Sequence, residues 1–326
     1  MPCPYASMRS FGEAAFDASQ CKRIEPVELI KPNTKIDFMG NRHYAYAFTA
    51  IMLVLALASI PIKGHVRLGV DFSGGAMIQV KFNKTVDIDH IRKGLEPLSE
   101  NLAVQKLLGT EEFIIRMEMP EEGADKLSQR VQELLDKEFG KGNSEIRSVE
   151  MVGPKVGKDL QTSAIWATII ALGMLLVYMA FRFTFTMGLG AVFCLVHDIA
   201  IVYGFFAWTG KEFNLTIVAA MLTIIGYDLN DTIVVCDRVR ENLPIMKKAP
   251  LIDIFNTSIN QTLSRTLLTS CGTLMSVIAF LVLGTSVLQD FAWALLIGII
   301  FGTYSSIFVA SPVVLELDRV LPVKRG

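Results

Sequence analysis

The stretch LTIVAAMLTIIGYDLNDTIVV, residues 215–235, holds two carboxylates, Asp228 and Asp231, inside one apolar run. Apolar residues on both sides place the segment in a bilayer. An ionised carboxylate there costs about 2.5–3.5 kcal/mol on insertion scales, so such residues in membrane helices serve proton relays, ion sites or interhelical clamps. The two are three residues apart, which puts them on one face of a helix. Asn230 and Thr232 flank them and can hydrogen-bond to neighbouring helices, and Gly226 permits close backbone approach. A carboxyl kept protonated for a purely structural hydrogen bond is the alternative.

The whole chain agrees with a membrane setting. Its 326 residues are 52% hydrophobic and 19% charged, with a mean hydropathy of +0.43. That is apolar-rich and charge-poor for a soluble domain. The net charge of −1 gives no sign of nucleic-acid binding. The five cysteines form no C-x2-C or Cys/His cluster, so no metal is expected. Residues 63–160 contain no cysteine and hence no disulfide.

A spanning helix needs about 20 apolar residues. Six segments qualify: 43–62, 162–181, 187–208, 213–236, 267–284 and 291–314. The expected fold is an α-helical polytopic membrane protein of six transmembrane helices, with a small α+β domain between helices 1 and 2. Residues 1–24 show no apolar period and read as disordered. They lack the core and cleavage site of a signal peptide, which makes helix 1 a retained signal-anchor. An upstream start codon unused in the cell also accounts for them.

Lys and Arg near helix ends set the orientation. They gather in residues 1–42 (Lys22, Arg23, Lys31, Lys35, Arg42), at Arg182, in 238–265 (Arg238, Arg240, Lys247, Lys248, Arg265) and in the tail 316–326 (Arg319, Lys324, Arg325). The opposite turns carry only Lys211. Both termini are therefore expected in the cytoplasm, and 63–160 outside it.

Within 63–160, Val66–Phe72 and Ala76–Phe82 alternate like strands, with Gly74-Gly75 as the turn between them. Ile88–Ser99 and Ala124–Phe139 have helical periods. Val104–Leu108, Glu112–Met117 and Ile146–Val152 read as strands. The order β-α-β-β-α-β after one extra strand predicts a ferredoxin-like domain. In the segment 238–265, Leu251, Ile254, Phe255, Ser258, Ile259 and Leu263 share one helical face, which predicts an amphipathic helix lying at the membrane interface.

Other polar residues share the membrane segments. Arg265, in Gln261-Thr262-Leu263-Ser264-Arg265-Thr266, opens the fifth helix and can pair with Asp231; a snorkelling interfacial arginine is the plain alternative. A site where burial and an arginine pull a carboxyl in opposite directions can change protonation with a small movement. His197-Asp198 lies in helix 3 and suggests interior placement, for titration or for helix packing. Gly298-x-x-x-Gly302 suits close helix packing without naming the partner helix. No hydrolase, metalloprotease or phosphate-loop signature is present, so no enzyme is expected. Val152-Gly153-Pro154-Lys155-Val156-Gly157 reads as a hinge.

These motifs in order resemble the SecF family, within the SecD/SecF group of protein-export membrane proteins and the resistance-nodulation-division (RND) superfamily. The resemblance spans roughly residues 28 to 315. It rests on Lys35-Ile36-Asp37-Phe38-Met39-Gly40, Gly69-Val70-Asp71-Phe72-Ser73-Gly74-Gly75 and the 152–157 motif. It rests further on His197-Asp198, Asn230-Asp231-Thr232-Ile233-Val234-Val235, Asp237-Arg238-Val239-Arg240-Glu241-Asn242, and 261–266.

The resemblance implies a bacterial inner-membrane subunit that pairs with SecD, associates with SecYEG and YajC, and helps move polypeptide across the membrane. It implies the proton gradient as energy source, with no cofactor. Asp231 and Arg265 would belong to the proton-responsive set near the SecD interface, supported by Asn230, Thr232, His197, Asp198 and Gln261. Where the family has Gly-Tyr-Ser, this chain has Gly226-Tyr227-Asp228. Two carboxyls so close do not both ionise readily, so Asp228 is expected in the proton-responsive set as well, as a second proton site, a shift of the coupling pH or a mimic of a changed state. A passive assembly subunit and a small-solute RND transporter are the alternatives; the latter usually carries twelve helices and larger external domains.

Overall fold

In the computed structural model, residues 34–64, 66–98, 102–107, 110–118, 124–284 and 286–318 are described. The expectations for residues 1–24, for the basic residues 22–31 and for the tail beyond 318 lie outside them. Six helices are long and apolar enough to cross a membrane.

Helix α1 (Arg42–Lys63) leads to the domain, and α5 (Pro154–Arg182) returns from it. Between them run β2 (Gly75–Phe82), α3 (Ile88–Leu95), β3 (Ala103–Lys106), β4 (Glu112–Met117), α4 (Ala124–Phe139) and β5 (Ser144–Val152). The four strands form an antiparallel sheet in the order β3-β4-β2-β5, the ferredoxin-like arrangement. Alternate residues build its core: Ala76, Ile78, Val80 and Phe82 from β2 face Phe113, Ile115 and Met117 from β4. Ile91 and Leu95 of α3 and Leu127, Val131 and Leu135 of α4 cover that face at helical spacing.

The segment expected as the first strand, Val66–Phe72, folds otherwise. Only β1 (Arg67–Leu68) is a strand, and it pairs in parallel with β6 (Glu212–Phe213) from a distant turn. A one-turn helix, α2 (Val70–Ser73), follows. Gly74, at φ 74, ends that turn, and Gly75, at φ 120, opens β2. The glycine pair therefore turns from helix to strand, at backbone angles that disfavour side chains.

The remaining membrane helices are α6 (Phe185–Thr209), α7 (Leu215–Ile245), α8 (Leu251–Leu283) and α9 (Ser286–Ser305). A π-helical stretch, Ser306–Ala310, continues α9 into α10 (Ser311–Leu317). Thr184 caps α6 by accepting from the Met187 N–H, and Asn214 caps α7 by accepting from Ile217. Helix α5 starts at Pro154, earlier than its apolar run, because Gly153-Pro154 supplies the cap and first turn. Over the most apolar 18 residues of each span, more than half of α6, α7 and α9–α10 is buried, against 22%, 6% and 17% of α1, α5 and α8. The first three form the centre of the bundle.

No separate interfacial helix forms within 238–265. Helix α7 continues to Ile245, and α8 runs unbroken from Leu251 through Arg265. The apolar face is real, but protein covers it. Leu251, Ile254, Phe255, Ile259 and Leu263 join one core with Val239 and Leu243 of α7 and with Phe38 and Met39. Asn256 and Asn260 hold the 36–39 segment on α8: Asn256 accepts from the Met39 N–H at 2.9 Å, and Asn260 from that of Ile36 at 3.0 Å.

The Gly298-x-x-x-Gly302 pair packs against α7. A methyl group at Gly298 would overlap Ile224, and one at Gly302 would overlap the Asp228 carboxyl. Ile224 and Asp228 are one helical turn apart, so a ridge of α7 fills a groove of α9.

Candidate functional site

Helix α7 carries both carboxylates into the centre of the bundle. Asp228 is 1% exposed and Asp231 is 2% exposed. They diverge towards different neighbours. Asp231 turns towards Ser270 of α8, whose hydroxyl lies 2.7 Å from that of Thr303 on α9. Oδ2 of Asp231 has no partner. Asp228 points to α9 and α6. Its carboxyl rests on Gly302, and neither oxygen has a hydrogen-bond partner.

Helix α6 supplies a second polar cluster. Cys194 and Asp198 are one turn apart, and His197 sits beside them. The His197 Nδ1 lies 2.9 Å from Asp198 Oδ1. Ser305 of α9 donates to Asp198 Oδ2 at 2.6 Å, and Cys194 Sγ lies 3.1 Å from Ser305 Oγ. All four side chains are buried, and His197 Nε2 has no partner. Asp228 lies within electrostatic reach of both Asp198 and Asp231. It joins the two clusters across the core.

Arg265 stands apart from the direct pairing expected with Asp231. Its guanidinium bears on Asp231 electrostatically, but no ion pair within 4.0 Å joins the two among the described residues. Arg265 is exposed on α8. Asn230, expected to bond a neighbouring helix, is also exposed. Thr232 is buried and, with Ser306 and Ser311, lines a cavity of about 10 Å³ beside the π-helical stretch, room for roughly one water. Gln261 accepts from Asn242 Nδ2 at 3.0 Å, and Ser258 accepts from the same amide at 2.9 Å. Gln261 therefore fastens α8 to α7 away from the carboxylates. Cys194, Ser270, Thr303 and Ser305 were not singled out as site residues from the sequence. The one-turn spacing of Cys194 to Asp198 was the available signal.

Exposed residues form a polar seam on the two helices. Helix α7 presents Thr223, Gly226 and Asn230, and α8 presents Arg265, Thr269, Gly272 and Ser276. Each set repeats at helical spacing. The Thr273 hydroxyl donates to the Tyr227 hydroxyl at 3.3 Å, so the two stripes run side by side.

The domain meets the bundle at the other end of α7. Asp71 Oδ2 accepts from the Leu215 N–H at 2.9 Å, and the Gly69 N–H donates to Phe213 at 2.9 Å. Arg116 of β4 pairs with Glu212 next to that turn, and Lys211 pairs with Asp290 at 2.6 Å. Burial, together with the neighbouring Arg67, brings the Arg116 guanidinium down to about 10, still charged at neutral pH. Partial burial, then the Asp71 charge, hold the Glu150 carboxyl above its ordinary value. Among the described residues, no group of three or more His, Cys, Asp or Glu side chains is placed to hold a metal ion.

A sequence profile for the C-terminal region of the protein-export membrane proteins SecD/SecF matches residues 131–320, and one for the SecD/SecF GG motif matches residues 59–86. The chain belongs to the SecF family. It is 41% identical over 292 residues to the protein translocase subunit SecF of Calditerrivibrio nitroreducens, covering 88% of this chain and 96% of that one. It is 45% identical over 291 residues to SecF of Magnetococcus marinus, covering 87% and 93%. The crystal structure of SecDF, a translocon-associated membrane protein from Thermus thermophilus, matches 89% of the chain at 35% identity with a TM-score of 0.81. SecDF in a super-membrane-facing form matches 91% at 36% identity with a TM-score of 0.66. The chain spans 40% of the length of each SecDF structure. The six-helix fold with an α+β domain after the first helix is thus that of the SecF family.

Proposed function

We propose that this chain is a SecF-type subunit that uses the proton gradient, with no bound cofactor, to assist polypeptide translocation across the bacterial inner membrane. The carrying observation is Asp231, buried at mid-span with one oxygen unpartnered and an arginine within electrostatic reach. A carboxyl so placed changes charge only at high cost unless a neighbour moves with it, which ties protonation to helix position.

The polar seam supports a SecD-type partner. Arg265 and Asn230 do not suit lipid, and the small residues around them admit a close helix. Relatives named SecDF support the same pairing. SecYEG, YajC and the translocating polypeptide are the further partners of this reading; lipid covers the exposed apolar faces, and nucleic acid has no part. Arg182, Arg238, Arg240, Lys247 and Lys248 lie at one end of the bundle, which supports cytoplasmic termini.

The test is export of a secretory precursor into inner-membrane vesicles, with and without a proton gradient. Asp231→Asn and Arg265→Ala should each abolish the stimulation while SecD still co-purifies. Unchanged stimulation in Asp231→Asn removes that residue's proton role. Loss of SecD in Arg265→Ala supports a passive assembly subunit instead.

A further inference from the structure

Asp228 has no evident structural use. Its carboxyl is 1% exposed, yet neither oxygen meets a donor. An ionised carboxylate without donors is among the costliest groups to bury, whereas a protonated one is far cheaper. The fold has nonetheless made room for it, because only a glycine at 302 leaves the space its carboxyl fills.

The surroundings fit a proton rather than a metal. From α6, Asp198 and Cys194 lie within electrostatic reach of Asp228, and His197 is bonded to Asp198. On α9, Ser305 donates to Asp198 and lies 3.0 Å from the carbonyl of Gly302, on which the Asp228 carboxyl rests. Along α7 stands Asp231, with Arg265 of α8 bearing on it. His197 adds another unpartnered polar atom, Nε2, at 2% exposure. On α9 and the π-helical stretch that continues it, Thr303 reaches the Asp231 side, Ser305 the Asp198 side and Ser306 the small cavity beside Thr232. Three hydroxyls within one turn thus connect both carboxyl clusters and a cavity with room for about one water.

We propose that Asp228 is a second proton-binding carboxyl that couples Asp231 to the His197–Asp198 pair, making the three aspartates one titrating unit. This rests on the proton-driven reading above and deepens it. Binding of one proton neutralises Asp228 and lets either neighbour ionise; release of that proton leaves a charge that the neighbours must answer by holding theirs. Such a unit titrates in macroscopic steps that belong to the set rather than to one residue. A chain with serine at 228 lacks the link.

Two measurements test this on the complex reconstituted with its SecD. Infrared difference spectra across a pH titration count the carboxylic-acid carbonyl bands. Export driven by the gradient is then followed against pH. Asp228→Ser and Asp228→Asn should each remove one band, and should move the midpoint of the export profile by about one pH unit. The shape of the Asp231 band should change as well, since its partner in titration is gone. An unchanged band count, or an unchanged profile and Asp231 band, overturns the proposal. The proton-driven reading fails separately, when wild-type export ignores the gradient; the infrared count then still decides Asp228.

Discussion

Gly302 and Asp228 occupy one site, and a double-mutant cycle measures how tightly. Gly302→Ala places a methyl group on the Asp228 carboxyl. Overpacking of a well-filled core costs about 1–3 kcal/mol. Alanine recovers about 1 kcal/mol over glycine in a helix, so the net loss is up to about 2 kcal/mol. Asp228→Ser acts in the opposite sense. It removes a buried carboxyl without donors, a burden of about 1–3 kcal/mol, and shortens the side chain away from Gly302. The alanine should therefore cost less in the serine background. The coupling expected for residues in direct contact is about 0.5–3 kcal/mol.

Thermal unfolding of the four purified proteins in one detergent gives the cycle. The expected order is Asp228→Ser at or above wild type, the double variant below it, and Gly302→Ala lowest. Equal losses from the alanine in both backgrounds, within about 0.5 kcal/mol, refute the shared site. A stabilised Gly302→Ala refutes it too, because it shows that the carboxyl does not fill the space over residue 302.

Three further outcomes follow from the domain end of α7. Asp71→Ala frees the Leu215 N–H and should cost about 0.5–2 kcal/mol, seen as faster hydrogen exchange in the first turn of α7; unchanged exchange removes the cap. Arg116→Ala strands Glu212 beside the bundle and should raise protease sensitivity at the 211–214 turn, with Arg116→Lys restoring part of the protection; equal cleavage of wild type and alanine variant refutes the clasp. Glu150→Gln should raise the midpoint of thermal unfolding at neutral pH. A carboxyl held above its ordinary value in the fold destabilises once both states are ionised, and that burden fades as pH falls through the folded value towards the unfolded one; a gain that persists at low pH refutes the assignment.

The sequence was most legible where one periodicity ran uninterrupted. Helix α4 and strand β4 fall within the residues that their patterns marked, because each buries one face on a neighbour in the same domain. Val66–Phe72 misled because its extended pair, Glu212–Phe213, comes from a turn on the far side of five helices in sequence, and local alternation carries no trace of it. In 251–263 the apolar face was visible, but not its cover; lipid and protein ask for the same pattern. The spacing of Asp228 and Asp231 placed both on one side of α7. It could not show that Asp231 meets α8 while Asp228 meets α6 and α9, since that depends on where glycine and serine stand on other helices.

The position of α7 gives the proposed charge change at mid-membrane somewhere to act. Its first turn is bound by Asp71, in the loop that also opens the domain's β2, and by Asn214. Gly69 is bonded to Phe213, and a methyl group there would come within 2.9 Å of the Asn214 side chain. On the other side of the loop, a methyl group on Gly157 of α5 would come within 2.9 Å of the Phe72 carbonyl. The loop is therefore wedged between two membrane helices with no slack for side chains. A rotation of α7 that re-aims Asp231 relative to Arg265 must carry Asp71 with it or break the cap, and the strand that follows Gly75 leads straight into the sheet. The bond between Asp71 and α7 is thus a direct mechanical path from the buried carboxyls to the α+β domain. Lengthening that loop by one glycine after Ser73 should leave the sheet and the helices folded while uncoupling them, so domain stability and gradient-driven export should separate in this variant; export at the wild-type level would show that the path lies elsewhere.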